Sequence, residues 1–326
     1  VKRILLVVGT LLAAGLAYEA AAALGDSRRH LPPGAVHRLG EHDVHVHCSG
    51  TGGPTVILEA GAMGLSSTWL HVQSHLSDLT RVCSYDRAGY GWSGPRQRPP
   101  TLDGGATDLR SLLRTAGEEG PFIVVGHSLG GHHARTFTHM HRGEVVGLVL
   151  VDARHPDAAS RLPDYENDMA AFTVTARLAT VLARLGVMRL LGDVGGSLDG
   201  LPDDARAAML ARSTTGRHWA TVVREIATLE ELDAAVAAQP SFGDLPVLVI
   251  AAGVASAGAS EATRSVWVAM QEDLVTVSSN ARLQVVHGSD HLGLLHHPDH
   301  ALEVAHGIAQ LVPGLRSEPS DPTWSR

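Results

Sequence analysis

Polar and apolar positions along this chain fall into two stretches of one rhythm, with a different pattern between them. Val44-His45-Val46-His47 alternates apolar and polar side chains, the period of a half-buried strand. Gly50 to Pro54 is turn material, and Thr55-Val56-Ile57-Leu58 is a short apolar run that predicts a strand ending at Glu59-Ala60-Gly61. Leu65, Trp69, Val72 and Leu76 then recur at helical spacing. Arg81 to Tyr85 reads as a strand, Leu102, Ala106, Leu109 and Leu113 as a helix face, and Phe122-Ile123-Val124-Val125 as a strand between Pro121 and Gly126. A helix is expected from Leu129 to His141. Val145 to Val151 is a continuous apolar run, as in a strand buried on both faces.

The rhythm stops at Asp152. From Arg154 to Gly243 there are helical patterns, Met169 to Leu191 and Ala205 to Leu232, but no strand pattern. It resumes with Pro246 to Ile250, Leu283 to Val286 and a last helix near Ala301 to Leu311. Alternating strands and helices imply a mostly parallel sheet with right-handed crossovers, interrupted by a helical insertion. The expected division is a leader and linker at 1–34, a core at 35–153 and 244–314, a cap at 154–243 and a flexible tail at 315–326. There are no internal repeats.

The N-terminus needs separate treatment. Lys2 and Arg3 precede an apolar run from Ile4 to Ala17, and Ala20-Ala21-Ala22 offers small residues for cleavage, as in a signal peptide. Extended to Leu24, the run reaches about 20 residues, enough to cross a bilayer. A cleaved signal and a retained anchor both fit, and either exports the rest of the chain.

Composition narrows the function. Of the 326 residues, 44% are hydrophobic and 18% charged, so a sizeable core is expected. The formal net charge of -8 is spread thinly, and with no long basic stretch a nucleic-acid partner is not expected. The two cysteines, Cys48 and Cys83, make no zinc spacing. His296-His297 lacks a third ligand pattern, so neither a metal nor a cofactor is expected.

The chemistry centres on Gly126-His127-Ser128-Leu129-Gly130, directly after an apolar strand and directly before a helix. This is the context a nucleophile elbow requires. The serine takes a strained conformation on a sharp turn, and the flanking glycines let strand and helix approach. A hydroxyl needs a base. His291, in Gly288-Ser289-Asp290-His291, follows the last strand and so lies at the sheet edge where ligands bind in open α/β sheets. His127, His132, His133, His139 and His141 surround the elbow and read as solvated or packed side chains, with His127 pointing away from the nucleophile.

These segments, with Ser84-Tyr85-Asp86-Arg87-Ala88-Gly89-Tyr90-Gly91-Trp92-Ser93 and Pro298, resemble the α/β-hydrolase superfamily, and within it bacterial serine hydrolases of the esterase, haloperoxidase-like and C–C hydrolase kind. The likeness runs from about Val44 to Leu311 apart from the insertion. It implies a mostly parallel α/β-hydrolase sheet with helices on both faces and a helical cap after the sixth strand. It also implies an oxyanion hole formed by the N–H groups of Leu129 and Ala62, the latter in a loop that reads Glu59-Ala60-Gly61-Ala62 where many relatives carry His-Gly. A serine at the elbow, in place of aspartate, argues against haloalkane dehalogenase or epoxide hydrolase chemistry.

A carboxylate must orient the histidine. In many relatives it follows the strand before the histidine, but here no carboxylate occurs there until Glu261. Asp152 closes the strand after the nucleophile's, where some relatives place their acid, and the order Ser128, Asp152, His291 suits the fold. A helix-capping role for Asp152, or an acid at Glu261 or Asp290, are the alternatives. The expected function is hydrolysis of a carboxylic ester or related small acyl substrate through an acyl-enzyme. A C–C or amide hydrolase, a transacylase, or a ligand-binding receptor on the same fold are the alternatives. The strands bearing Cys48 and Cys83 are neighbours in the fold the sequence resembles, so a disulfide and two buried thiols both stay open.

Overall fold

The computed structural model describes residues 1–96, 101–193, 198–256 and 258–312. The tail expected at 315–326 lies outside the described residues. Eight strands among them form one sheet: β1 (Ala35–Leu39), β2 (His42–Ser49), β3 (Thr55–Glu59), β4 (Val82–Tyr85), β5 (Phe122–His127), β6 (Val145–Val151), β7 (Val247–Ala252) and β8 (Ala281–Val286). Their order is β1-β2-β4-β3-β5-β6-β7-β8, antiparallel at the β1-β2 and β2-β4 pairings and parallel from β4 through β8. The pairing β1-β2 adds a strand that the sequence pattern did not mark. Its residues are largely exposed, so they carry no apolar alternation to read.

The central strands β3, β5 and β7 are buried throughout, which is why they read as unbroken apolar runs. Alternate residues face two cores. Val56, Leu58, Ile123, Val125, Val149 and Ile250 point into one, and Ile57, Val124, Leu148, Leu150 and Val249 into the other.

The helices are α1 (Lys2–Arg29), α2 (Leu70–Ser77), α3 (Leu102–Thr115) and α4 (Gly130–Met140), then α5 (Ala158–Arg161), α6 (Tyr165–Arg184), α7 (Val187–Leu191), α8 (Asp203–Ser213), α9 (Gly216–Ile226) and α10 (Leu229–Ala237), and finally α11 (Glu261–Leu274), α12 (Gly293–His296) and α13 (Pro298–Ala309). Helices α3 and α4 cover one face, and α2 and α13 the other. Helices α5 to α10 form the insertion after β6, and no strand occurs in it among the described residues. Helix α11, between β7 and β8, was not anticipated. Its buried residues are few, Met270, Gln271 and Leu274, so its apolar period is weak.

Helix α1 is long and apolar enough to cross a membrane, and none of its residues is buried. Cys48 and Cys83 pair directly across β2 and β4 and are bonded in a disulfide.

Candidate active site

Strand β5 delivers Ser128 into a tight turn. The residue has φ of 52°, a left-handed conformation that a non-glycine residue rarely holds. Three contacts hold it there. Its N–H donates to Val151 O at 3.1 Å, and its carbonyl accepts from Gly131 N at 3.0 Å and Arg154 N at 2.9 Å. The glycines are needed because the main chain leaves no room. A Cβ at Gly126 would collide with the carbonyl of Gly130, and one at Gly130 would lie 2.5 Å from Glu59 O. Ser128 is half-buried. Its hydroxyl has no hydrogen-bond partner among the described residues.

At the end of the next strand, Asp152 is also left-handed, with φ of 42°, and almost fully buried. Its own N–H is held by Ile250 O at 2.6 Å, while Oδ1 accepts from Ala252 N at 3.1 Å. Its other oxygen, Oδ2, accepts from Nδ1 of His291 at 2.6 Å. Burial pushes the Asp152 carboxyl up. The hydrogen bond and charge of His291, the N–H of Ala252 and the indole of Trp267 outweigh burial, so the group sits below the usual carboxylate range. It is therefore an acceptor to which Nδ1 of His291 donates, and it turns Nε2 away from the carboxylate.

The alternatives for the acid fare differently. Glu261 opens α11, is exposed, and faces Arg264 at 3.7 Å. Asp290 turns its carboxylate back to Gly293 N at 2.7 Å, shaping the loop that presents His291.

Two aromatic rings position His291. Trp267 on α11 meets it edge-on at 5.9 Å between centroids, and His127 lies 4.4 Å from it. His127 Nε2 also donates to the carbonyl of His291 at 3.1 Å. His127 does not simply turn away from the site, as expected from its place before Ser128. It is buried, and burial followed by the nearby charge of His291 holds its pKa well below the usual histidine range. It acts as a neutral donor to the loop. The side chains around the elbow are packed more than solvated: His132 and His133 are buried as well.

Leu129 caps α4, and Ala62 lies in the turn after β3. Neither N–H donates to a backbone carbonyl among the described residues. Gly61 sits directly beneath the serine: a Cβ there would come within 3.0 Å of Ser128 Cβ. This turn is held from outside by Arg87. Its guanidinium donates to the carbonyls of Ala60 and, at 2.8 Å, Gly61, and to Glu59 Oε1 at 2.7 Å. The same guanidinium reaches Glu225 on α9 at 2.9 Å. Burial works against the charge of Arg87, but Glu225 and Glu59 more than restore it and raise its pKa. The motif from Ser84 to Ser93 pointed to this loop without revealing that Arg87 bridges core and cap. Asp86 anchors the motif by accepting from Ser66 N at 2.7 Å and Trp92 N at 2.9 Å.

The cap supplies an apolar ceiling. Leu129 packs with Leu229, Leu232, Val236 and Met169, and Met63 packs with Leu65, Ala176, Leu201 and Phe172. A second clamp ties cap to core: Arg154 and His132 converge on Asp233, at 2.6 Å and 2.8 Å. A separate cleft, open to solvent and bordered by Tyr85, Leu109, His133 and Arg224, lies beside α3 and α9 and does not include Ser128. Cys48 and Cys83 approach Glu118 in a group with metal-ligand spacing, but both sulfurs are committed to the disulfide, so the group is not a thiolate site.

The sheet order, the helices on both faces and the insertion after β6 together define the fold class. The family described as the alpha/beta hydrolase family matches residues 44–306, and the chain belongs to it. It is 33% identical over 114 residues to the uncharacterized protein YqjL of Bacillus subtilis, covering 35% of this chain and 45% of that protein. It is 32% identical over 130 residues to the lipase LipV of Mycobacterium tuberculosis, covering 40% of this chain and 49% of that one. The chain thus spans under half the length of these curated relatives. The structure of the Cif epoxide hydrolase from Acinetobacter nosocomialis superimposes with a TM-score of 0.68 at 14% identity, over 90% of this chain and 96% of that one, a likeness of fold.

Proposed function

We propose that the protein is a serine hydrolase that cleaves a carboxylic ester or related acyl compound through an acyl-enzyme. Ser128 is the nucleophile, His291 its base and Asp152 the acid that orients the base, with the N–H groups of Leu129 and Ala62 receiving the oxyanion. The observation that carries this reading is the 2.6 Å hydrogen bond from His291 to the buried Asp152, made at the same sheet edge as the strained Ser128. His291 Nε2 takes the serine proton as Oγ attacks the substrate carbonyl, and the imidazolium is stabilised by Asp152. Nε2 then protonates the leaving oxygen, and the acyl-enzyme is hydrolysed by water that the same nitrogen deprotonates. The unspent amides at Leu129 and Ala62 suit an oxyanion because nothing must be broken before they donate. The likeness to a lipase supports ester cleavage, and the serine at the elbow separates this site from aspartate-dependent epoxide opening.

In this reading residues 35–153 and 244–314 are the catalytic core, and 154–243 the cap. Helix α1 is a retained anchor that exports the catalytic domain. Its second half is used by the folded domain: Arg189 pairs with Glu19 at 2.5 Å and with Asp26.

The test is turnover of p-nitrophenyl acetate together with labelling by a fluorophosphonate. Ser128→Ala is expected to lose labelling and about four to six orders of magnitude in turnover, with an unchanged melting temperature. Near-parental turnover in that variant would overturn the assignment. One observation favours a second reading, a ligand-binding receptor on the same fold: the Ser128 hydroxyl lacks a hydrogen bond to any described residue. That reading requires the absence of sustained turnover, whether or not the probe labels Ser128.

A further inference from the structure

Helix α6 has two apolar faces, which a water-facing helix does not need. One carries Phe172 and Ala176 into the cluster with Met63 and Leu65, beside the turn that holds Ala62. The other carries Val174, Leu178 and Val181, spaced to line up on one side of the helix. Leu190 and Leu191 on α7, the next helix along the chain, are exposed as well. All five are exposed, from 52% at Leu191 to 73% at Leu190. Large apolar side chains left exposed together on one helix face mark an interaction surface. Arg177 and Arg184, exposed on the same helix, have no acidic partner among the described residues.

The patch adjoins α1. At Gly15 the two helical systems touch, since a Cβ there would lie 2.8 Å from Leu185 O, and the Tyr18 ring lies against Gly186. Arg189 of α7 then pairs with Glu19 and Asp26. Length decides what this junction means. The part of the apolar run that precedes Gly15, Ile4 to Ala14, rises only about 17 Å at about 1.5 Å per residue. A bilayer core is about 30 Å thick. A membrane crossed by α1 therefore extends beyond Gly15, to the level of Leu185, which caps the end of α6. The pairing of Arg189 with Glu19 and Asp26 fits that depth, because it neutralises acids that a membrane boundary would otherwise leave uncompensated.

We propose that the outer face of α6 and α7 rests on the phospholipid bilayer that α1 enters, and that the site draws its acyl substrate from the lipid phase. The substrate half of this inference rests on the acyl-transfer reading above, whereas the docking half does not. Val174, Leu178, Val181, Leu190 and Leu191 enter the interface, and Arg177 and Arg184 meet anionic headgroups. Because the other face of α6 roofs the site, a lipid-phase ester enters beneath a helix already seated in the membrane.

The full chain, reconstituted into vesicles of equimolar phosphatidylcholine and phosphatidylglycerol, tests both halves. The native cysteines are bonded to each other, so Leu178→Cys provides a single thiol for an environment-sensitive fluorophore. Gly143→Cys, exposed with open space around it at the opposite edge of the sheet, is the control. Quenching by a lipid-borne nitroxide is expected to be several-fold stronger at position 178 than at 143, and equal quenching overturns the docking. For the substrate, the triple variant Val174→Glu, Leu178→Glu, Val181→Glu is expected to lose about tenfold in turnover of a long-chain ester dissolved in the vesicles. Its turnover of p-nitrophenyl acetate in water should stay unchanged, which also shows that the variant folds. Equal effects on the two esters, or none on either, would overturn lipid-phase delivery. Absence of turnover in the parent protein would instead sink the acyl-transfer reading, with the quenching comparison still deciding the docking.

Discussion

At the carboxyl edge of the sheet, position is set by main chain. The Ser128 amide is held by Val151 O and that of Asp152 by Ile250 O, and both residues keep left-handed backbones. Across the site, the cap is held by side chains: Arg87 to Glu225, and Arg154 and His132 to Asp233, around an apolar ceiling. The difference is physical. Sheet hydrogen bonds do not depend on side-chain identity, so the proposed reacting groups keep their geometry when neighbours change. Ion pairs and apolar contacts depend on each residue, so the cap can alter its fit to substrate, or its seating, one substitution at a time.

The largest effect expected is at the edge. Asp152→Asn should cut turnover by roughly three to four orders of magnitude with little loss of folding, because the amide can hold the wrong histidine tautomer. Glu261→Gln should do far less, since that carboxylate is exposed on α11. Kinetics on one ester decide it, and a reversed ranking would move the acid to the later strand.

The contrast between the regions sharpens at Asp233. Asp233→Ala leaves the buried Arg154 without its carboxylate, at a cost of about 3–5 kcal/mol. Hydrogen exchange should show faster exchange in α6 to α10 with protection kept in β5 and β6. Equal loss in both regions would mean that cap and core unfold as one unit and that the contrast has no energetic counterpart.

The smallest effect is a pH slope. Burial pushes His218, in the cap, down to about 3, with the neighbouring Arg217 adding to it. His127 and His133, in the core, are also held well below the usual histidine range, chiefly by burial. These rings stay neutral when folded and take up protons when unfolded. The unfolded chain thus binds more protons once the pH falls below about 6.5, and stability falls with it by up to about 1.4 kcal/mol per pH unit per ring. Asp152 has the opposite charge type but adds in the same direction at lower pH. Its depressed carboxyl stabilises the fold above about pH 4, and that contribution is lost as pH falls through its folded value. Thermal melts between pH 7 and 5 should show the decline, and His218→Phe should flatten it by about one proton. An unchanged slope would show that His218 is not a buried neutral ring.

Much of this was legible in the chain. Buried parallel strands must be apolar along their whole length, so β3, β5, β6 and β7 announced themselves. The lost rhythm after Asp152 announced the helical insertion. The tight turn at Ser128 was legible because a strained turn between a strand and a helix leaves little choice at Gly126 and Gly130. Asp152 and His291 could be nominated because topology brings strand ends to one edge, whatever their separation in sequence.

What the sequence could not determine is which side chains meet across elements. Arg87 stood in a recognisable motif, yet its grip on Ala60, Gly61 and Glu225 joins three segments far apart in the chain. Trp267 lies on a helix whose weak apolar period concealed it, and the turn of His127 toward the His291 loop depends on a strand end 164 residues away. Nor could a run of leucines and valines at the N-terminus show that its second half would be gripped by Arg189. Local pattern reports which face of an element is apolar. Only packing reports what that face touches, because such contacts depend on distances that sequence separation does not encode.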